Sequence, residues 1–575
     1  MSRSSCRRPL PPSPCACALL ALASAFAAPA IAGGPPNDAW VQREAIATLP
    51  YTDIEGGISS ATLAAGDPVF PCMRTSPPTT GARTLWYSYT TGDDVEYVNV
   101  SASGFDAELA IWRGDPTDGF VLETGACNDD GGGGSGSASL VGIRLQPNTE
   151  YSIEVATYDA SVPATLLQLT VDRARTYNVT KTADTNDGTC DADCSLREAV
   201  RAANQNGGAV IVPAGTYGIT IAGTEDGNVS GDLDVVGPIG IYGAGPDVAT
   251  GTIVDGNDID RVLHLDPANT GKFSFAIADL AITDGSAPNG GGIANLGGGV
   301  NPDFVGLANV RLFLNETSGQ GGGARLDGAS RIEDSTIANN LAVLDGGGLA
   351  AVGTGPTRLV LLRSTVSNNT SQHLPTGGGG GVFVSGGFPE IETSTLSANA
   401  ARVGGGGVLA SGAAALAVRN ATLVGNRADA QGGSGGTGGG LRHEGTASVT
   451  VANSVLAGNL KGTGSTASDC ALLAGSALVA QDDLVQAPEN CTLGGSNNVT
   501  GVAAGLGPLA DNGGATLTYA PLPGSPVIDT GAASCGGSDQ RGAKRPSDGD
   551  ANGTATCDRG AVESGDALVF RNGFE

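Results

Sequence analysis

Between residues 290 and 441 the chain returns again and again to a glycine triplet followed by an apolar or small residue. The triplets are Gly290-Gly-Gly-Ile293, Gly321-Gly-Gly-Ala324, Gly346-Gly-Gly-Leu349, Gly379-Gly-Gly-Val382, Gly405-Gly-Gly-Val408 and Gly438-Gly-Gly-Leu441. A second motif interleaves with them. Val310-Arg-Leu312-Phe-Leu-Asn315 starts a series that runs through Ser335-Thr-Ile337-Ala-Asn-Asn340, Ser364-Thr-Val366-Ser-Asn-Asn369 and Ser394-Thr-Leu396-Ser-Ala-Asn399. It ends with Ala421-Thr-Leu423-Val-Gly-Asn426 and Asn453-Ser-Val455-Leu-Ala-Gly-Asn459. From Asn315 to Asn459 is 144 residues in five steps, a mean of 28.8. Self-similarity at this period marks a solenoid.

The runs between punctuation are short, small or β-branched, and lack a 3.6-residue period, so helical pairs are excluded. Parallel strands stacked coil on coil fit them. The terminal Asn of each run tolerates the left-handed conformation and can hydrogen-bond its counterpart one coil away. Glycine triplets permit positive φ and close backbone approach at the corners. The reading is a right-handed parallel β-helix of about 10–12 coils, on the order of 50 Å long at a strand spacing of about 4.8 Å. This accounts for 92 Gly among 575 residues, against roughly 7 per cent in ordinary chains. It also suits a 40% hydrophobic, 4% aromatic composition.

A solenoid needs its exposed ends covered. Ser195-Leu-Arg-Glu198 reads as a capping box. Leu196, Ala199, Val200 and Ala203 then form one apolar helix face, and Asn206-Gly207-Gly208 stops it. This amphipathic helix is expected to lie across the first coil. Residues 37–172 lack glycine triplets and alternate with period two. Val98 and Val100 face one way and Val95, Tyr97 and Asn99 the other. Tyr151-Ser-Ile153-Glu-Val155 and Leu167-Gln-Leu169-Thr-Val171 repeat the pattern. An antiparallel β-sandwich is expected ahead of the solenoid.

The formal net charge is -28. Phosphate backbones and anionic lipid surfaces are therefore disfavoured partners. Arg3, Arg7 and Arg8, the apolar run to Ile31 and Ala30-Ile31-Ala32 read as a secretory signal over residues 1–32. Eight cysteines follow it. Proximity pairs Cys72 with Cys127, Cys190 with Cys194, Cys470 with Cys491 and Cys535 with Cys557, and disulfides are expected in an exported chain. No later stretch is long and apolar enough for a transmembrane helix.

Several motifs carry family resemblances. Asn37-Asp38, Leu85-Trp86-Tyr87-Ser88-Tyr89, Phe105-Asp106-Ala-Glu-Leu109-Ala-Ile111-Trp112 and Asn128-Asp129-Asp130 resemble the bacterial pre-peptidase C-terminal type domain. That implies a binding or accessory module, whose Asn128-Asp129-Asp130 turn is a calcium candidate. Cys194-Ser-Leu-Arg-Glu-Ala199, with Thr182-Ala-Asp-Thr-Asn-Asp-Gly188 upstream, resembles the CSLREA-domain proteins. The repeats are similar to polymorphic outer-membrane proteins of the pectate-lyase-like superfamily. Leu506 to Gly514, Pro523 to Asp529, Asp539-Gln-Arg-Gly542 and Cys557 to Glu563 resemble the choice-of-anchor Q region. These likenesses imply a Gram-negative protein that is secreted or held at the cell surface. They divide the chain into a sandwich at 35–173, a cap at 174–217, the β-helix at 218–504, a C-terminal cap at 505–565 and a tail at 566–575. The tail, Val569-Phe-Arg-Asn-Gly-Phe-Glu575, resembles sorting tails of exported proteins.

No complete catalytic motif stands out. Pectin hydrolases use clustered Asp with a later His and Arg-Ile-Lys; Arg331-Ile-Glu333 lacks the Lys. His264, His373 and His443 fall in unrelated contexts. Two acid groups, Asp226 with Asp232 and Asp234, and Asp255 with Asp258 and Asp260, are spaced to meet on adjacent coils, where they could do acid/base work. Asp548-Gly-Asp550-Ala-Asn552-Gly553 matches the first half of an EF-type loop, with Arg559 where the bidentate Glu belongs and Asp558 or Glu563 as a substitute. Calcium at Asp548, Asp550, Asn552 and Asp558 is the cofactor expectation. The leading expectation is a non-enzymatic adhesion or binding rod, with cell-surface glycan as partner. The alternative is a polysaccharide lyase or glycoside hydrolase using an Asp cluster.

Overall fold

The structure, a computed structural model, describes residues 34–565 apart from 73–79, 130–135, 162, 272, 298–302, 354–357, 373, 376, 474–477 and 534. The expected signal at 1–32, the tail, Asp130 and His373 lie outside the described residues.

The first body is a sandwich of two sheets. One has the order Glu44–Ile46, Ala82–Thr90, Glu150–Thr157, Ala107–Asp115, Gly119–Asn128. The other has the order Tyr51–Gly56, Leu166–Arg173, Glu96–Ser103, Ala138–Leu145. All pairings are antiparallel except that of Glu44–Ile46 with Ala82–Thr90. Val98, Val100, Leu109, Ile111, Ile153, Val155, Leu167 and Leu169 fill the space between the sheets, as the period-two pattern requires. Trp86, Trp112, Phe70 and the Cys72–Cys127 disulfide form a second, smaller core on the outer side of the five-stranded sheet.

From Thr176–Asn178 onward the strands pair in parallel and the chain winds as a β-helix, apart from the antiparallel pairs of Leu460–Lys461 with Thr466–Ala467 and of Leu506–Ala510 with Thr518–Pro521. Leu359–Leu362, Thr365–Ser367, Thr370–Ser371 and Val382–Ser385 make one coil, and each strand pairs in register with the coils before and after. One face of the winding is a ten-stranded sheet, which places the coil count within the expected range. Leu361, Val366, Val382 and their counterparts stack along the interior.

The asparagine series forms the expected ladder. The main-chain and side-chain nitrogens of Asn369 both donate to Oδ1 of Asn399, at 3.1 and 2.9 Å. The same pair of bonds recurs from Asn315 to Asn459. The left-handed residue, however, is the one before each ladder Asn: Leu314, Asn339, Asn368, Ala398, Gly425 and Gly458. The ladder Asn is kept out of the αL region because its side chain must point along the helix axis to reach the next coil. In the triplets, Gly346 takes φ +69°, and a Cβ on Gly347 would sit 2.4 Å from the Gly380 carbonyl one coil on. The first glycine turns the corner and the second allows the coils to stack.

The capping helix spans Leu196–Asn206. Ser195 accepts from Glu198 N and Glu198 accepts from Ser195 N at 2.7 Å, so the capping box is complete. Arg197 is fully buried, forks onto Asp184 at 2.7 and 3.1 Å and also reaches the Gly231 and Asp232 carbonyls.

All four expected cysteine pairs are bonded. Cys72 is joined to Cys127 inside the outer core of the sandwich, and Cys190 to Cys194 just ahead of the capping helix. Cys470, on the strand Cys470–Leu472, is joined to Cys491, which follows the strand Pro488–Asn490 paired with it one coil on. Cys491 is buried against the last coils, so this bridge locks the end of the solenoid interior. Cys535 is joined to Cys557 in the C-terminal segment. The four Cα separations run from 4.5 to 6.1 Å.

Residues 505–565 run back along the solenoid. Thr365, Thr395 and Thr422 lie in register on neighbouring coils. Thr365 donates to the Leu517 carbonyl, and Gln540 bridges Thr365 and Thr395 at 2.9 and 2.6 Å. Ala561 N bonds Thr422, and Gly560 N bonds the Asn453 carbonyl. The C-terminal segment is thus a lateral strap over four successive coils. Among the described residues no helix is long and apolar enough to cross a membrane.

Candidate functional site

The sandwich docks on the early coils through glycines. A Cβ on Gly306 would lie 2.2 Å from Gly125 N, and one on Gly142 would lie 2.2 Å from the Gly208 carbonyl. Tyr242, from the strand Ile239–Tyr242, donates to the Gly142 carbonyl at 2.9 Å and accepts from Arg144 N at 3.0 Å. Where the two surfaces diverge they leave a cleft of about 180 Å³.

Its solenoid wall is set by backbone geometry. Asp279, Asn309 and Asp334 occupy the left-handed bend of three successive coils, so they form a row at about the strand spacing. Glu333 precedes the last of them. Its sandwich wall carries Arg113, Glu123, Thr124, Arg144 and Gln146. Arg113 donates to Glu123. Arg144 pairs with Asp279 at 2.5 Å and lies 4.6 Å over the Tyr242 ring. Asn309 donates to Asp279 at 2.6 Å. Arg363 forks onto Asp334 with two 2.8 Å bonds, and Arg331 holds Glu333 at 3.1 Å. Burial pushes the Glu123 carboxyl above the ordinary carboxylate range, against the opposing pull of Arg113. The cleft therefore sets Glu123, its carboxyl pKa raised by burial, on one wall and Glu333 and Asp334 on the other. Donors and acceptors alternate around it, which matches a polyhydroxylated ligand.

The sequence-predicted acids behave differently. Asp226, Asp234 and His264 come together, with one ligand atom from each lying within 4.8 Å of the others. Asp232 pairs with Arg261 at 2.7 Å beside them. Burial, then the neighbouring Asp234, pushes Asp232 up to about 6. Burial, then Asp226 and Glu225, pushes Asp234 up to about 7. Asp234 is fully buried, so a polymer cannot reach it. Asp255 sits in the strand Thr252–Asp255 beside Thr283, and Asp258 is an exposed turn residue; neither joins the group. His443 is buried and bonded to the Ala414 carbonyl, so it is a core histidine.

At the expected calcium loop, Asp548 and Asp550 meet Asp529 within 4.8 Å. Asp548 accepts from Asn552 N and Gly553 N, and the Asn552 amide donates to Asp550 at 2.9 Å. Asp558 stands apart from this group and accepts from Asp529 N and Ser564 N. In the sandwich, Asn128 accepts from Ser139 N at 3.0 Å.

Sequence reasoning missed Glu123, Arg113 and Arg144. Their role depends on a wall contributed by coils more than 100 residues away, and no local pattern signals that. Glu333 did lie in the Arg331-Ile-Glu333 triplet.

No protein family's sequence profile matches the chain, and no curated protein matches it. Solved structures do. The Agl-KA catalytic domain is 13% identical over 75% of this chain and 95% of its own, with a TM-score of 0.19. A variant catalytic domain of a GH87 alpha-1,3-glucanase with tetrasaccharides is 11% identical over 77% of this chain and 89% of its own, at 0.24. The same catalytic domain with nigerose is 11% identical at 0.21. The GH87 matches are catalytic domains of an alpha-1,3-glucanase, and against them the leading expectation of a non-enzymatic adhesion rod is corrected in favour of its enzymatic alternative. At such TM-scores they carry no argument about substrate or site residues.

Proposed function

We propose that the protein is a glycoside hydrolase that binds a sugar unit in the cleft between sandwich and solenoid. One observation carries this reading: Glu123 and Glu333 project from opposite walls of a cavity lined by alternating donors and acceptors. Glycosidic cleavage uses such a carboxyl pair, one protonating the leaving oxygen and the other acting on the anomeric side. Glu123, whose carboxyl pKa burial raises, is assigned as the acid; Glu333, oriented by Arg331 and Arg363, is the carboxylate. The expected signal and the CSLREA and choice-of-anchor Q likenesses accord with an exported enzyme acting on extracellular glycan. Calcium at Asp529, Asp548 and Asp550 belongs to the same reading as a stabiliser of the strap. Release of reducing sugar from a polysaccharide panel, α- and β-glucans included, tests it. The native protein should turn over at least one polymer. Glu123→Gln and Glu333→Gln should each lose about 10²–10⁴-fold in kcat. Turnover by both variants at the native rate, or none by the native protein, rejects the assignment.

A further inference from the structure

Asp234 lies on the strand Leu233–Val235, where Leu233 and Val235 point into the solenoid and Asp234 points out. Its side chain is nonetheless fully buried. Asn228, in the preceding loop, crosses over it, accepting from Asp234 N at 3.0 Å and donating to the Asp234 carbonyl at 2.5 Å. Under that loop neither carboxylate oxygen meets a hydrogen-bond donor. A buried charge without donors is among the most unfavourable arrangements a protein can hold. Arg261, the nearby cation, is spent on Asp232 and on the Asn289 and Gly290 carbonyls.

The partner in register on the next coil is His264, and its Nδ1 lies 3.5 Å from Asp234 Oδ1. Asp226, exposed on the covering loop, completes a triad whose ligand atoms lie within 4.8 Å of one another. One coil further, Ala294 stands in register with His264 and leaves the imidazole uncrowded on that side.

We infer that Asp226, Asp234 and His264 form a zinc site that fastens the 222–232 loop to the first two complete coils. An imidazole with two carboxylates is a nitrogen and oxygen set suited to zinc; calcium prefers oxygen ligands alone. Bonds of about 2.0–2.2 Å put neighbouring ligand atoms of a tetrahedral zinc about 3.3 Å apart. Asp234 and His264 are already near that separation, and Asp226 closes the rest from a surface loop. This site is independent of the cleft and of the hydrolase reading. The eight cysteines among the described residues are all bonded in disulfides and do not compete for the ion.

The full-length protein, stripped with chelator and dialysed, is titrated with zinc, manganese and calcium chlorides by calorimetry and by thermal melting. Zinc should bind at one equivalent and raise Tm. His264→Ala and Asp226→Asn, both at positions with solvent access, should weaken that event by more than the 10–100-fold typical of an outer partner. Asp234→Asn should abolish it, with circular dichroism checking that the variant is folded. Zinc heats that are unchanged in His264→Ala belong to surface acids and overturn the site. So does the absence of any zinc-dependent shift, or a larger shift with calcium than with zinc.

Discussion

Asn399 accepts from two nitrogens of Asn369 while its own amide donates to the Val366 carbonyl at 2.9 Å. All of these groups are buried. Asn399→Ala would remove both bonds from Asn369 and those of its own amide to Val366 and Asn426, and we expect a loss of about 2–4 kcal/mol in urea unfolding. A loss no larger than that of a surface substitution would contradict the ladder's role. Asp303 illustrates burial acting through pH. It is fully buried and accepts from Phe273 N and the Asn295 amide, and burial pushes it up to about 7. The unfolded chain ionises it near 3.8 while the folded chain keeps the proton. Stability from this residue is therefore complete below about pH 4 and lost as pH rises through about 7. Asn295 Oδ1 has no donor, and once the Asn295 amide turns over, Asp303→Asn supplies one while its own oxygen still accepts from Phe273 N. We expect the variant to match the native protein near pH 4 and exceed it at pH 8 by on the order of 1–4 kcal/mol. Equal unfolding curves at pH 8 would refute this.

At the scale of elements, the docking of sandwich on solenoid depends on glycines in ordinary strands. Gly306 sits within Phe304–Phe313, where alanine would be harmless on propensity alone. Its Cβ would instead collide with Gly125 N. Gly306→Ala should pry the two bodies apart, replacing one melting transition with two and raising KM at the cleft. A single unshifted transition would show that the contact is dispensable. The capping helix was legible because a capping box and one apolar face declare themselves within eleven residues. The glycine contacts were not, since each is meaningful only against a surface distant in sequence. The left-handed bend escaped by one residue for a related reason. Leu, Asn, Ala and Gly all fill it, whereas the ladder position is always Asn.

At the scale of the molecule, periodicity made the solenoid readable before any coordinates, and alternation did the same for the sandwich. The cleft was not readable, because Glu123 and Glu333 belong to different periodicities and meet only where those bodies touch. The C-terminal motifs were visible but their placement was not: the Gln540 side chain, besides bonding Thr516 in its own segment, reaches threonines 145 and 175 residues earlier. That placement has a mechanical consequence. In a plain solenoid each coil grips only its neighbours, so tension on one end strips coils one after another. Here a pull on the C-terminus first loads the staples to Thr422 and Asn453, and only when they yield does it reach those to Thr395 and Thr365, so the strap must be peeled from four coils before the last of them unwinds.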